Sequence, residues 1–262
     1  AKLASGAMSA YDFFIAKITN LEITPGMLAL EPCSGGMVVT DPNNGDVLAC
    51  VSYPGFDNNR LTNIMEAEYY SQLLNDNARP MYSRATQEKT APGSTFKPLS
   101  AIAGLCEGVI STSPTNTITC TGVYTKVSNH PKCWILTQNG GSHGTENVVD
   151  AIMDSCNCYF YEVGFRLGST GNGLSNEIGL GKLAEYATMF GLGNKSGLET
   201  EESEPQISDQ TVVPSAIGQG SHNYTVSQIA RYVTTIANGG TCYNLSLLNK
   251  VSDSKGKLVE EY

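Results

Sequence analysis

Apolar side chains recur at i, i+3 and i+4 in five segments of this chain, a spacing that places them on one face of a helix. The first segment covers residues 7–20 and predicts an N-terminal helix. The later segments are Thr95–Glu107, Val148–Leu167, Leu180–Phe190 and Val226–Asn238. Gly108 and Gly239 follow two of them, and glycine often ends a helix because it adopts the left-handed conformation. The chain beyond residue 61 is therefore predicted to be mainly helical.

A different pattern precedes residue 61. The apolar runs Met37–Thr40 and Val47–Ser52 flank the segment Asp41-Pro-Asn-Asn-Gly45, whose residue types favour a tight turn. We therefore predict an antiparallel hairpin. Because two strands alone are poorly stable, other strands are expected to complete this sheet.

Three stretches show neither the helical spacing of apolar residues nor a pair of apolar runs around a turn. Residues 111–146 are rich in Thr, Gly and Asn and predict a long irregular excursion, whereas residues 168–179 and 194–215 are expected to form polar loops. The order of helix, hairpin and helical block predicts an α/β (α+β) fold. In that fold an antiparallel sheet carries packed helices and lies beside a mostly helical lobe.

Composition and charge narrow the class of protein. With 262 residues, 40% of them hydrophobic and 16% charged, the chain can bury the core of a globular protein. The formal net charge of −9 argues against a nucleic-acid partner, which needs clustered basic residues. No apolar run reaches the roughly 18 residues that span a bilayer, so we expect any membrane anchor to lie upstream of residue 1.

The segment Ala91-Pro-Gly-Ser-Thr-Phe-Lys-Pro98 carries the strongest chemical signal. Its proline and glycine end the preceding structure, and the helical pattern begins at once, so Ser94 and Lys97 are one turn apart on the same face. A lysine with a lowered pKa can accept the proton of a serine nucleophile. Alone, the pair is a weak signal, more typical of a capping serine and a solvated lysine.

A second polar group occurs in Asp154-Ser-Cys-Asn157, directly before the helical pattern of CYFYEVGFRL. Ser155 and Asn157 would point into a cleft with Ser94 if this turn faces the nucleophile. The alternative is that both residues cap the helix, a common role for serine and asparagine.

Together the two motifs resemble the active-site serine transferases that react with penicillin, in which S-x-x-K is followed by S-x-N and then by K-T-G or K-S-G. The resemblance covers about residues 36–262. It extends to the segments GGMVVTDPNNGDVLACVSYPGFDNN, MYSRATQEKTAPGSTFKP, FGLGNKSGLETEE and AIGQGSHNYTVSQIARYVTTIANGG. The hairpin and the I-G-Q-G run are more similar to penicillin-binding transpeptidases, of the monofunctional class B type, than to β-lactamases.

This resemblance implies a β-lactamase/transpeptidase-like fold and a serine D,D-transpeptidase of peptidoglycan synthesis. Ser94 would attack the carbonyl of a D-Ala-D-Ala stem peptide, its backbone N–H would form half of the oxyanion hole, and Lys97 would accept the hydroxyl proton. Ser155 would relay a proton to the leaving D-alanine, and Asn157 would hydrogen-bond the donor peptide. β-Lactams would acylate Ser94.

The resemblance also implies an extracytoplasmic location on the bacterial cytoplasmic membrane, a glycosyltransferase as a partner protein, and no cofactor for catalysis. One motif departs from the family pattern, because no K-T-G or K-S-G follows I-G-Q-G. Lys195-Ser-Gly197 precedes that run and is interpreted as a surface loop. We therefore expect residues 1–262 to be a single transpeptidase domain without its C-terminal strands and helix, incomplete for catalysis. His222, after I-G-Q-G, is expected to be a surface residue.

The cysteines raise a separate question. They occupy positions 33, 50, 106, 120, 133, 156, 158 and 242. Cys120, Cys133 and His143 are close in sequence to the second motif and could bind a tetrahedral structural zinc ion, with Cys156 or Cys158 as a fourth ligand. A Cys120–Cys133 disulfide and free buried thiols are equally open alternatives.

Two other functions fit the same motifs. A binding module could keep the reactive serine as a non-catalytic β-lactam sensor, and the missing K-T-G strand is the reason to consider this alternative. A serine β-lactamase needs an activated water for deacylation, and no glutamate is evident for that role.

Overall fold

The computed structural model describes residues 6, 8–20, 22–23 and 34–261. Among these residues, no helix has both the length and the apolar character needed to cross a membrane. The helices are α1 Ala10–Thr19, α2 Ala67–Asn75, α3 Lys97–Cys106, α4 Trp134–Asn139, α5 Val148–Met153, α6 Asn157–Leu167, α7 Asn176–Met189, α8 Val212–Ser215 and α9 Val226–Ala237. The strands are β1 Gly35–Thr40, β2 Val47–Tyr53, β3 Ile118–Cys120, β4 Gly144–Glu146, β5 Ser169–Thr170, β6 Gly173–Leu174, β7 Lys250–Ser252 and β8 Leu258–Glu261.

The described residues group into two compact units. One contains the described parts of 1–36 and 51–84, and the other contains 37–50 and the described part of 85–262. The second unit holds every candidate site residue. The interpretation of 1–262 as a single domain stays a prediction.

The predicted hairpin is confirmed: β1 and β2 form a two-stranded sheet. Its turn is closed by two backbone hydrogen bonds, from the Asp41 N–H to the Asp46 carbonyl (2.8 Å) and from the Gly45 N–H to the Asp41 carbonyl (2.9 Å). Gly45 has a positive φ of 87°, which explains the glycine at this position. Each sheet in the described part of the chain has two strands.

Helices α1, α3 and α9 occupy the segments that periodicity predicted, with small shifts at their ends. Thr225 and Gln228 form a capping box that starts α9. Gly108 and Gly239 directly follow the C-caps of α3 and α9 with positive φ angles, as predicted.

The prediction of one helix over Val148–Leu167 is wrong, because residues 154–156 separate α5 from α6. Ser155 adopts a left-handed conformation with φ 51°. Cys156 is extended, and its sulfur caps α6 by accepting the Tyr159 N–H. Apolar positions continue across the break because α5 buries one face, at Val148 and Ala151, and α6 is buried nearly all round from Cys158 to Gly164.

All three stretches that were predicted to be irregular contain regular structure, and helix α8, Val212–Ser215, lies within 194–215. Within 168–179 lie β5, β6 and the first turn of α7, which begins at Asn176 because Ser175 caps it by accepting the Ile178 N–H (3.3 Å). Within 111–146 lie β3, α4 and β4, and β3 pairs antiparallel with β4 so that Cys120 faces Gly144. That pairing draws the two ends of the excursion together.

The core of the second unit is formed by α3, α6, α7 and α8 around buried Leu99, Phe160 and Leu183. Helix α6 lies very close to α8, because a Cβ on Gly164 would come within 2.8 Å of the Ala216 Cβ. Phe96 and Tyr159 are fully buried in the same core. This packing holds the start of α3 beside the start of α6, where the candidate site residues lie.

Candidate active site

Ser94 and Lys97 differ sharply in exposure. Ser94 lies in a 3-10 turn, Gly93–Phe96, that runs directly into α3 at Lys97. The Ser94 side chain is exposed, whereas Lys97 is 1% exposed. Pro98 follows in the first turn of α3, where no intrahelical N–H is required. The arrangement offers an accessible hydroxyl and a buried amine one turn apart.

The structure brings all four predicted site residues together. The Lys97 Nζ donates to the Ser155 carbonyl (2.5 Å), to the Ser155 Oγ (2.9 Å) and to the Asn157 Oδ1 (2.7 Å). The Ser155 Oγ in turn donates to the Ser94 Oγ at 2.9 Å. A chain of hydrogen bonds therefore links the exposed hydroxyl of Ser94 to the buried amine through Ser155.

Burial determines the protonation of the amine. Desolvation lowers the pKa of Lys97 to about 8, although the negative charges of Cys133, Cys156 and Glu146 oppose this shift. At pH 7 about one molecule in ten then carries a neutral Lys97 amine, compared with fewer than about one in a thousand at an ordinary lysine pKa. A neutral amine can accept a proton from Ser155, and Ser155 can accept one from Ser94.

Two features that sequence reasoning missed fix the positions of the two motifs. The first is Trp134, whose indole Nε1 donates to the Asp154 carbonyl (3.2 Å) and to the Ser155 carbonyl (3.1 Å). Trp134 is the only tryptophan of the chain and directly follows Cys133, a candidate metal ligand. This position is the sequence signal that could have identified it. Trp134 connects the start of α4 to the Ser155 turn.

The second is the contact of Gly218 with the nucleophile turn. The Gly93 N–H donates to the Gly218 carbonyl at 3.0 Å. A Cβ on Gly218 would lie 2.1 Å from the Gly93 carbonyl oxygen, and Gly218 has a positive φ of 74°. Only glycine satisfies both requirements, which accounts for the first glycine of the I-G-Q-G run.

His222 is not a surface residue as predicted; it is 3% exposed. Its Nδ1 accepts the Ser208 N–H (3.0 Å) and lies 2.9 Å from the Tyr224 hydroxyl. The ring centroid is 4.3 Å from that of Phe96, under the nucleophile turn. Burial lowers the pKa of His222 to about 4, so the imidazole is neutral at physiological pH. An aromatic packing partner far away in sequence is invisible to pattern analysis.

The segment Lys195-Ser-Gly197 is a loop, but it is not wholly at the surface. Lys195 is exposed, whereas Ser196 is fully buried. The backbone N–H and the hydroxyl of Ser196 both donate to the buried Glu202 carboxylate, at 2.8 and 3.0 Å. Ser196 therefore anchors the loop.

The candidate metal ligands also converge. The ligand atoms of Cys120, Cys133, His143 and Cys156 all lie within 4.8 Å of one another. The three cysteines are buried and the histidine is half-buried. Every described cysteine is a free thiol, and Cys33 lies outside the described residues.

This cluster contacts the site through the start of α6. The Asn157 N–H donates to the Cys133 Sγ at 3.3 Å, and the Cys133 Sγ lies 3.6 Å from the His143 Nδ1. Hydrogen bonds from the Cys156 and Cys158 thiols hold the pKa of Cys133 below its ordinary value. Among the described cysteines, Cys133 is thus the one whose pKa shift favours the thiolate, the form that binds metal.

Comparison with known proteins covers most of the chain. A family model described as the penicillin binding protein transpeptidase domain matches residues 35–261. The chain is 32% identical over 249 residues to the peptidoglycan D,D-transpeptidase MrdA of Haemophilus influenzae, covering 89% of this chain and 35% of that protein. The chain thus spans about a third of the length of that curated relative.

Two solved structures superimpose on most of this chain. A chain from a structure titled "Structural coordination of polymerization and crosslinking by a peptidoglycan synthase complex" superimposes with a TM-score of 0.73 and 30% identity, covering 87% of this chain and 38% of that one. The penicillin G acyl-enzyme complex of penicillin-binding protein A from M. tuberculosis gives a TM-score of 0.72 and 25% identity, covering 88% and 52%. The predicted β-lactamase/transpeptidase-like fold is confirmed.

Proposed function

Because the chain belongs to the family of penicillin-binding protein transpeptidase domains, we propose that it carries the active site of a serine D,D-transpeptidase of peptidoglycan synthesis. The observation that supports this proposal is the hydrogen-bonded path from the exposed Ser94 hydroxyl through Ser155 to the buried Lys97 amine. A serine becomes nucleophilic only when a base takes its proton, and this path supplies one.

In acylation, the Ser94 Oγ attacks the carbonyl carbon of the D-Ala-D-Ala peptide bond. Its proton passes to the Ser155 oxygen while the Ser155 proton passes to the neutral Lys97 amine. In this proposal Ser155 takes part in both proton transfers, and its position supports this role because its hydroxyl lies between Ser94 and Lys97 at 2.9 Å from each. The Ser94 backbone N–H supplies one oxyanion-hole donor.

Collapse of the tetrahedral intermediate breaks the C–N bond. The leaving D-alanine nitrogen takes a proton from the Lys97 ammonium through Ser155, which restores the neutral amine. Asn157 is held by Lys97 and keeps its amide NH₂ for the donor peptide. The amine of a second stem peptide then attacks the ester, its proton returns along the same path, and Ser94 is released with a new peptide bond.

Substrates, partners and location follow from the same proposal. Peptidoglycan lies outside the cytoplasmic membrane, so we place the domain on the extracytoplasmic face of that membrane. A β-lactam mimics the D-Ala-D-Ala bond and acylates Ser94, and likeness to a penicillin G acyl-enzyme supports this. Likeness to a chain of a synthase complex that couples polymerization with crosslinking supports a glycosyltransferase partner.

Turnover by the full-length protein tests the activity. We expect slow, multiple-turnover release of the thiol from a thioester analogue of D-Ala-D-Ala, with an acyl adduct visible by mass spectrometry, because the path serves acylation and deacylation alike. An adduct that forms once and never turns over would identify a β-lactam sensor. Fast hydrolysis of nitrocefin would instead identify a β-lactamase.

We also propose that Cys120, Cys133, His143 and Cys156 bind one structural zinc ion, with no part in the acyl transfer. Three sulfurs and one imidazole match the donors that tetrahedral zinc prefers. Ligand atoms of such a site lie about 3.8 Å apart, so a cluster within 4.8 Å needs only a small contraction. The ion would join β3, α4 and the start of α6, which carries Asn157.

Elemental analysis tests the metal. Full-length protein prepared without chelator should contain about one zinc per chain, and Cys133→Ser should lose most of it, because three ligands bind zinc far more weakly than four. Cys106→Ser is the matched control, since Cys106 is exposed and outside the cluster. Wild-type protein without zinc, or a Cys133→Ser variant that keeps it, contradicts the proposal. A Cys120–Cys133 disulfide would then appear as a loss of 2 free thiols on titration.

A further inference from the structure

Ser155 holds an unfavourable backbone conformation. Its φ of 51° lies in the left-handed region, which a side chain other than glycine adopts only when surrounding contacts enforce it. The Ser155 N–H bonds the Ile152 carbonyl (3.2 Å), and the next N–H, of Cys156, bonds the Ala151 carbonyl (2.9 Å). These bonds fix the amide on each side of Ser155. The Ser155 carbonyl belongs to the same peptide unit as the Cys156 N–H. The groups that donate to its oxygen therefore act together with that bond to hold the turn, and with it the relay hydroxyl.

Two donors meet at that oxygen. Lys97 donates at 2.5 Å and the Trp134 indole at 3.1 Å. The Lys97 amine gains and loses a proton during the reaction, so its donation to the carbonyl changes within each cycle. The indole N–H does not titrate, so its donation to the carbonyl does not depend on the protonation state of Lys97.

The indole is itself held in place. Trp134 begins α4 and is half-buried, and its ring lies 5.4 Å from that of His143. A second bond from the same N–H reaches the Asp154 carbonyl at 3.2 Å, so the donor spans the two peptide units that form the turn. The Trp134 side chain on α4 therefore braces the turn through bonds that are separate from those of Lys97 on α3.

We propose that Trp134 is a positioning residue that keeps the Ser155 hydroxyl between Ser94 and Lys97 while Lys97 changes charge. The inference rests on the proposed acyl transfer and adds a residue outside the three motifs. Trp134 is not a catalytic residue, because its effect on the reaction passes through Ser155. Loss of the indole donor should leave substrate binding intact and slow proton transfer, because a small displacement of a relay group costs rate steeply.

The decisive variant removes one N–H and nothing else. In the full-length protein, 3-benzothienylalanine at position 134 replaces the indole N–H with sulfur and keeps the ring, and 5-fluorotryptophan at the same position keeps the donor. We expect the first-order acylation constant for penicillin G to fall about tenfold with benzothienylalanine and to change less than about twofold with 5-fluorotryptophan. The dissociation constant of the initial non-covalent complex should stay within about twofold of wild type in both.

Different results would contradict the proposed function and the positioning role of Trp134. If wild-type protein forms no penicillin adduct, the proposed function is wrong. If wild type is acylated and the benzothienylalanine variant is acylated at the same rate, the positioning role is wrong and the proposed function stands. Equal losses in both analogues, or weaker initial binding with benzothienylalanine, would show that the ring only supports the local fold, and this also overturns the inference.

Discussion

Replacing Ser94 with alanine should abolish covalent labelling of the full-length protein by penicillin. The exposed Ser94 hydroxyl accepts a hydrogen bond from the Ser155 hydroxyl. The Ser155 hydroxyl in turn accepts one from the buried Lys97 amine. No other oxygen on this path is both exposed and linked to the amine, because Ser155 is half-buried and lies between them. We expect fluorescent penicillin to label wild type stoichiometrically and the alanine variant at less than about 1% of that level.

The control variant, Thr95→Ala, removes a hydroxyl from the residue next to Ser94. Thr95 is also exposed, but its hydroxyl bonds the Pro92 carbonyl at 2.7 Å. Thr95→Ala should therefore label normally. Ser94→Ala should melt at the wild-type temperature, because it removes one exposed hydroxyl, and this excludes unfolding as the cause of lost labelling. Stoichiometric labelling of Ser94→Ala would show that another residue is the nucleophile.

The nucleophile motif could be predicted because its geometry is local. Ser94 and Lys97 are three residues apart at the start of a helix, so helical spacing alone places them on one side. The hairpin and α9 were predictable for the same reason, since a turn signal, apolar positions at helical spacing and a glycine after the helix all act over short stretches of sequence. The placement of Ser155 and Asn157 beside Lys97 could only be inferred from resemblance, because α6 is brought to α3 by core packing.

Features that depend on distant contacts could not be predicted. The break between α5 and α6 needs the left-handed Ser155, which contacts from Lys97 and Trp134 stabilise. Burial of His222 depends on Phe96, more than a hundred residues earlier in the chain. In each case the stabilising partner has no fixed spacing in the sequence. Apolar periodicity therefore predicted a continuous helix in the first case. In the second, the lack of an evident partner for His222 in the sequence led to the prediction of an exposed side chain.

The candidate metal ligands could be predicted only in part. Cys120, Cys133 and His143 could be proposed as a group because they are close in sequence, but their spacing matched no known zinc motif. The pairing of β3 with β4 brings the two ends of this segment together, and the cap of α6 supplies Cys156. A metal site, a disulfide and free thiols all require the same residue types, so only the arrangement of the sulfurs favours one of them.

Replacing Lys97 with methionine should reduce the rate of penicillin acylation by about 10³-fold. Methionine keeps an unbranched apolar stem in a site that is 1% exposed, but it cannot accept the proton that Ser94 releases through Ser155. Rates are measured with full-length protein as second-order constants across pH 6 to 10. Lys182→Met is the matched control. Lys182 lies on α7 outside the site, and its side chain is about one-third exposed and forms an ion pair with Glu107. Its rate should equal that of wild type.

The pH dependence separates loss of a base from loss of packing. The neutral form of Lys97 is the active one and burial lowers its pKa to about 8, so the wild-type rate should rise with pH and level off above about 9. At the ordinary lysine value of 10.5 the rise would instead continue to the end of the range. Lys182→Met should keep the inflection near pH 8, and the residual rate of Lys97→Met should lack it. A Lys97→Met variant that is slow but keeps the inflection would mean that another group accepts the Ser94 proton and that Lys97 only orients Ser155 and Asn157.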